Sequence, residues 1–269
     1  MCTIKKFERE LILHGKANST IKCYLSAFKM FIEYFKKEDI RYLSIDKLKD
    51  YILGLYKIYR YTTIIHSIFC IRFYYKYVND RKRNIYLPRP KKSKTIPVIL
   101  SHHEILKILN NIDNFKHQCI IETIYSHGLR RQELIDLKLF DIDSANMILM
   151  VKNSKGAKDR NIPLNKDCLE NLRKYYQIYK PKKYLFEGYS KNNQYSATSI
   201  KNILDLACLK AGINKHIKIH TLRHSFASYL VSLNINLRKI QEWLGHSSSK
   251  STEIYTHIIY EDNPIKLAA

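Results

Sequence analysis

Leu244-Gly245-His246-Ser247-Ser248-Ser249-Lys250-Ser251-Thr252-Glu253-Ile254-Tyr255-Thr256-His257 is the stretch on which the reading of this chain turns. A single tyrosine among 21 carries little information. This one is preceded, in order, by Gly128-Leu129-Arg130-Arg131-Gln132-Glu133-Leu134, by Lys155-Gly156 and by His220-Thr221-Leu222-Arg223-His224. An attack on a phosphodiester requires a nucleophile, cations around the phosphoryl oxygens and a proton for the leaving oxygen. The four segments together hold those residue types.

Tyr255 is the candidate nucleophile. A phenol is weak at neutral pH and needs a neighbouring base or a strong positive field. Arg130 and Arg223 suit a phosphate clamp, because a guanidinium fork binds two oxygens and stays charged at working pH. Arg131 reads as a solvated surface charge. Glu133 lies three residues after Arg130, so one helical turn would let it orient that arginine, and a capping role serves it equally. Lys155, in a turn beside Gly156, suits delivery of a proton to a 5′ oxygen, with Lys158 as the rival. His220 and Arg223 are three apart and share a helix face. His224 lies four past His220, but the metalloprotease glutamate is missing from between them, which argues against zinc. His246 follows Gly245 and would bond a phosphoryl oxygen or cap a helix end. Trp243 reads as core.

Outward from these motifs the chain is mainly α with a small antiparallel β-sheet. Ile21, Tyr24, Leu25, Phe28, Phe31, Ile32 and Phe35 recur at steps of three and four, one face of a helix. Asn18-Ser19-Thr20 offers its N-cap, and Lys22, Lys29, Lys36 and Lys37 fall off the stripe. Further helices are expected over 4–14, over 44–59 with Ser44 as cap, and over 61–79. Residues 81–97 break the pattern with Arg81-Lys82-Arg83 and Pro88-Arg89-Pro90-Lys91-Lys92-Ser93-Lys94. Ser101-His102-His103-Glu104 is a capping box. Helices follow over 101–110, 119–127 and 131–137, then strands over 147–152 and 160–164 joined by a hairpin loop. Helices resume over 166–179, 199–211, 220–233 and 237–244, and near 251–255. The domains expected are a helical unit over 1–87, a basic linker over 88–97 and a second unit over 98–269.

Composition bounds the partner. The 269 residues hold 47 Lys+Arg against 24 Asp+Glu, a formal charge of +23. Such an excess marks a polyanion partner, most often nucleic acid, although an AT-biased genome would inflate the lysine count. The excess is shared: residues 1–90 hold 19 basic and 8 acidic side chains, and residues 91–269 hold 28 and 16. Candidate DNA contacts are Lys22, Lys29, Arg81, Lys82, Arg83, Lys91, Lys92, Lys94 and Lys158. The hydrophobic share of 45% supports a packed core and excludes wholesale disorder. Cys2, Cys23, Cys70, Cys119, Cys168 and Cys208 form no Cys-x-x-Cys pair, which argues against a zinc ribbon or a disulfide scaffold. With no signal peptide and no apolar run of membrane-spanning length, a cytoplasmic location is expected.

Taken together, Gly-Leu-Arg-x-x-Glu-Leu, the Lys-Gly hairpin, His-Thr-Leu-Arg-His, Leu-Gly-His-Ser and the late tyrosine fall in one order across almost the whole chain. In this the sequence resembles the tyrosine recombinases, the phage integrase and Xer-like superfamily. Arg130, Lys155, His220, Arg223, His246 and Tyr255 match that family's active-site positions, and Glu133 its supporting acid. Arg131 and Gln132 stand where smaller residues are usual, and Trp243 where an aliphatic is. The resemblance implies a two-domain C-shaped clamp on DNA, with a SAM-like core-binding domain and a catalytic domain. It implies strand cleavage and rejoining through a 3′-phosphotyrosine, with no metal, ATP or other cofactor, in a tetramer on two synapsed sites. Accessory proteins are left open, as is the choice between mobile-element integration and Xer-like dimer resolution. The competing readings are a type IB topoisomerase and a non-catalytic DNA-binding regulator on the same fold.

Overall fold

Local signals account for most of the element boundaries. The computed structural model of the chain describes residues 3–80, 82–91, 97–152, 159–190 and 192–245. It divides into two compact units, residues 1–95 and 96–269.

The first unit is helical. Helices α1 (Thr3–Leu13), α2 (Asn18–Tyr34), α3 (Ile45–Ile58) and α4 (Tyr61–Phe73) enclose one apolar core. Ser44 caps α3, its side chain accepting the Lys47 N–H at 3.3 Å. For α2 the expected cap is corrected: Ala17 holds the extended cap conformation and makes no side-chain bond, so Asn18, Ser19 and Thr20 lie inside the first turn. The apolar stripe of α2 does face the core, where Phe28 stacks on Phe7 at 4.1 Å and Phe31 meets Tyr51 edge-on. The helix expected over 61–79 changes pitch after Phe73 and runs as a π-helical turn over Tyr74–Val78, closed by Asn79 N–H to Tyr74 O at 2.9 Å. That wider turn buries the adjacent Tyr74 and Tyr75 together. Beyond it, Leu87 is buried, its carbonyl accepting from Arg72 Nη2 at 2.7 Å.

The second unit begins with the capping box at Ser101, where Glu104 N–H reaches Ser101 Oγ and Ser101 N–H reaches Glu104 Oε2. Helix α5 (His102–Asn110) follows, then α6 (Phe115–Ser126) and the short α7 (Arg131–Asp136). Asn114 caps α6, which therefore starts four residues before the expected Cys119. The strands are β1 (Ile142–Asp143), β2 (Ile148–Val151) and β3 (Arg160–Pro163), antiparallel in the order β1-β2-β3. Leu149 pairs with Ile162 and Val151 with Arg160. Those four side chains are the buried ones on β2 and β3, as the two-residue period of a strand requires. Helices α8 (Lys166–Tyr179), α9 (Ala197–Lys210), α10 (Ile219–Ser232) and α11 (Leu237–Leu244) complete the described fold. α6 packs against α8, α9 and α10, which explains its burial on most faces, and α11 packs against β3 and α10. Among the described residues no helix is long and apolar enough to cross a membrane.

Candidate active site

The site is assembled from a turn, a strand and two helix ends. Gly128 ends α6 in the left-handed region, φ +58°. A Cβ there would meet Phe226 Cδ1 at 2.6 Å and Leu244 Cδ2 at 2.8 Å, so the chain passes tightly against α10 and α11 just before Arg130. Arg130 is the residue preceding α7, and Glu133 lies one turn on. Glu133 Oε2 accepts the Arg130 N–H at 2.8 Å, and Oε1 accepts from Arg130 Nη1 at 2.6 Å. One carboxylate thus fixes both the start of the helix and the direction of the arginine.

Arg223 comes from the second turn of α10 and is 1% exposed. Its Nη1 donates to Gly128 O at 2.7 Å and lies 3.9 Å from Glu133 Oε2, and its Nη2 donates to Leu244 O. A third arginine, Arg160, grips Glu133 with both forks, Nη1 to Oε1 at 2.9 Å and Nη2 to Oε2 at 2.8 Å. Its Nε donates to Trp243 O at 2.6 Å. Arg130 Nη2 donates to Gly245 O at 2.9 Å. Three successive carbonyls at the end of α11 are therefore taken by three different guanidiniums: Trp243 by Arg160, Leu244 by Arg223 and Gly245 by Arg130.

The charges do not cancel. Among the described residues three guanidiniums face one carboxylate, beside the partial negative charge of a helix C-terminus. Burial by itself would raise the Glu133 pKa; the bonds and charge of Arg160, then the bonds from Arg130, reverse this and bring it to about 2. Glu133 is thus ionised at any working pH. Among the described residues a surplus of positive charge remains, and Arg130, whose side chain is 38% exposed, presents it to solvent.

His220 stands one turn before Arg223 on α10. Its ring is open to solvent at the surface yet crowded by protein on its other side. Desolvation lowers its pKa, the Arg223 and Arg130 charges lower it further, and Glu133 opposes them. The imidazole is therefore neutral at pH 7 and able to accept a proton. His224 packs edge-on against it, ring centroids 4.6 Å apart, with its pKa pushed down to about 4 by burial, then by His220 and Arg223. Beside His220 lies an open groove of about 570 Å³, lined by Arg131, His216 and Lys218 among others.

Arg130, Glu133, His220 and Arg223 are thus brought together from α7 and α10. Lys155, Lys158, His246 and Tyr255 lie outside the described residues, as do Arg81, Lys92 and Lys94. Of the remaining candidate DNA contacts, Lys22, Lys29, Lys82 and Lys91 are exposed. Arg83 is engaged within its own unit, with Nη2 donating to Leu43 O at 3.2 Å and the guanidinium 4.9 Å from the centre of the Tyr75 ring. Trp243 is partly buried against the core. Sequence reasoning missed Arg160. The available signal was its place two residues before Ile162 on an expected strand, which puts a charge on the core-facing side.

Residues 98–262 match the phage integrase family, and residues 4–85 match the phage integrase N-terminal SAM-like domain. The chain belongs to the phage integrase family. This integrase-family chain is 33% identical over 268 residues to a putative integrase/recombinase of Sinorhizobium fredii, covering 94% of this chain and 83% of that protein. It is 31% identical over 259 residues to the tyrosine recombinase XerA of Pyrococcus horikoshii, covering 95% and 88%. Among solved structures it is similar to a XerA recombinase, with 25% identity and a TM-score of 0.57 over 97% of this chain and 98% of the other. A XerH site-specific recombinase bound to its palindromic difH substrate shares 23% identity, with a TM-score of 0.76 over 91% and 79%, a likeness of fold. The integrase-family chain is a tyrosine site-specific recombinase.

Proposed function

We propose that this recombinase breaks and rejoins DNA strands by transesterification, with Tyr255 as nucleophile and the Arg130–Arg223 cluster as the seat of the scissile phosphate. The observation that carries the reading is the convergence of these two guanidiniums on adjacent carbonyls, Leu244 O and Gly245 O, and on one carboxylate. Among the described residues the cluster holds more positive than negative charge, and a phosphodiester is an anion that suits it. Donors fixed in advance around the phosphoryl oxygens stabilise the charge that builds in the transition state, typically by roughly a hundred- to a thousand-fold per donor.

In the proposed cycle the Tyr255 oxygen attacks phosphorus and the 5′ oxygen leaves, giving a 3′-phosphotyrosine. His220, neutral at pH 7, accepts the phenolic proton. Lys155 protonates the departing 5′ oxygen, and His246 adds a donor to the phosphoryl group. The 5′-hydroxyl of a partner strand then attacks the linkage and releases Tyr255. One phosphoester bond forms for each one broken, so neither ATP nor hydrolysis is required. The groove at Arg131, His216 and Lys218 is the proposed path of the neighbouring backbone. The helical first unit is proposed to grip the same duplex, and four copies to synapse two sites with half the tyrosines active at once.

The test is covalent capture. The full chain is incubated in EDTA with a library of nicked duplexes of random sequence, and adducts that survive SDS are isolated and sequenced. The expected result is a 3′-linked adduct with wild type and none with Tyr255→Phe, whose duplex affinity is unchanged. An adduct that persists in Tyr255→Phe, or cleavage that EDTA stops, would overturn the proposal.

A further inference from the structure

Arg160 occupies a position where an arginine is costly. It is 9% exposed, and it pairs in register with the buried Val151. A buried guanidinium must be answered by an anion and by further acceptors. Glu133 answers with both oxygens, and Trp243 O takes the remaining Nε. The fit is built into the backbone as well. Gly245 adopts φ +62°, and a Cβ on it would lie 3.1 Å from Arg160 Cδ and 3.2 Å from Nη1. The end of α11 rests directly on this side chain.

Glu133 has three cationic partners among the described residues: Arg130, Arg160 and Arg223. Without Arg160, its buried negative charge would draw on the other two alone. Those are the groups the proposed reaction needs for phosphate, and a carboxylate competes with a phosphodiester for the same fork. We infer that Arg160 is a positioning residue for strand cleavage. It engages Glu133 through both oxygens, so that Glu133 aims Arg130 without competing for the scissile phosphate, and it pins the end of α11 through Trp243 O. This rests on the function proposed above, with Arg130 and Arg223 as the phosphate clamp. A buried pair that served stability alone would make a different prediction, because neutral replacement of both partners is often harmless to folding and would do nothing for the reaction.

The test uses the full chain and the nicked duplex captured by wild type. Adduct formation is followed in a single turnover at saturating protein, beside duplex affinity and thermal melting. Arg160→Gln and Arg160→Lys are expected to slow adduct formation about a hundred-fold while duplex affinity stays within about threefold. The double variant Arg160→Gln with Glu133→Gln is expected to react about tenfold faster than Arg160→Gln alone, because removing the competing carboxylate frees the clamp. A double variant as slow as Arg160→Gln, or a loss of affinity that parallels the loss of rate, would overturn the inference. So would a wild-type rate in Arg160→Gln. If Arg160→Gln fails to fold, Arg160→Lys and the double variant decide; failure of all three to fold assigns Arg160 to stability and ends the idea. Absence of an adduct from wild type would instead count against the proposed function.

Discussion

At the scale of single residues, two glycines separate conformational freedom from close approach. Gly128 and Gly212 both hold positive φ, +58° and +66°. A Cβ at Gly212 meets nothing within 4 Å, whereas one at Gly128 runs into Phe226 and Leu244. Gly212→Ala should therefore lose about 1 kcal/mol from left-handed strain, and Gly128→Ala about 2–4 kcal/mol once the clash is added. Urea unfolding of the two variants checks this, and equal losses would contradict it. The Gly128 carbonyl also receives Arg223, so cleavage by Gly128→Ala should fall by more than its stability explains. The glycine is plain in the sequence, but the two side chains it must avoid come from Phe226 and Leu244, about a hundred residues away.

At the scale of elements, His127 joins α6 to the start of α8. Its Nε2 accepts the Asn165 N–H at 3.2 Å, which leaves Nδ1 to donate to Thr123 O at 3.2 Å. Only the neutral ring can do both, and burial pushes its pKa from 6.5 down to about 4. In the unfolded chain the ring takes up its proton near pH 6.5, while the folded chain refuses it until about pH 4. Stability is therefore full above pH 6.5 and declines as pH falls from 6.5 to 4, by an amount on the order of 3 kcal/mol for this ring. His224, whose pKa is likewise pushed down to about 4, adds a loss in the same window, reduced by solvent screening because this ring is only partly buried. Denaturation from pH 7 to pH 4 should show a shallower decline for His127→Gln than for wild type. An unchanged slope would remove His127 from the account. Element limits were most legible where pattern and caps agree. α8 and α11 run over the expected residues, Lys166–Tyr179 and Leu237–Leu244, with Asn165 and Gly245 at their ends. The two-residue β1 carries no period to read, and it was missed.

At the scale of the whole molecule, two cores lie in two units, and both halves of the sequence carry excess positive charge. If both meet one duplex, many phosphates are neutralised and many counterions released. Affinity for a generic duplex should then fall by roughly a thousand-fold or more between 50 and 200 mM salt, as for six to ten phosphate contacts. Fluorescence anisotropy across that range measures the slope, and a flat response would remove the electrostatic grip. Residues 96–269 prepared alone should show a shallower slope than the full chain.

The sequence by itself determined the class of the fold, most helices, the strand pair and the chemical types at the site, because these follow from short-range periodicity, caps and ordered motifs. It pointed to Arg130, Glu133, His220 and Arg223 as separate candidates. Only the tertiary structure decided that one carboxylate faces three arginines and that three consecutive carbonyls of α11 receive them. Hydrogen bonds between residues as far apart as Arg130 and Gly245 leave no trace in local spacing. The role of Arg160 was hidden for the same reason: its partners are chosen by the packing of β3 against α11, and no neighbour in sequence announces them.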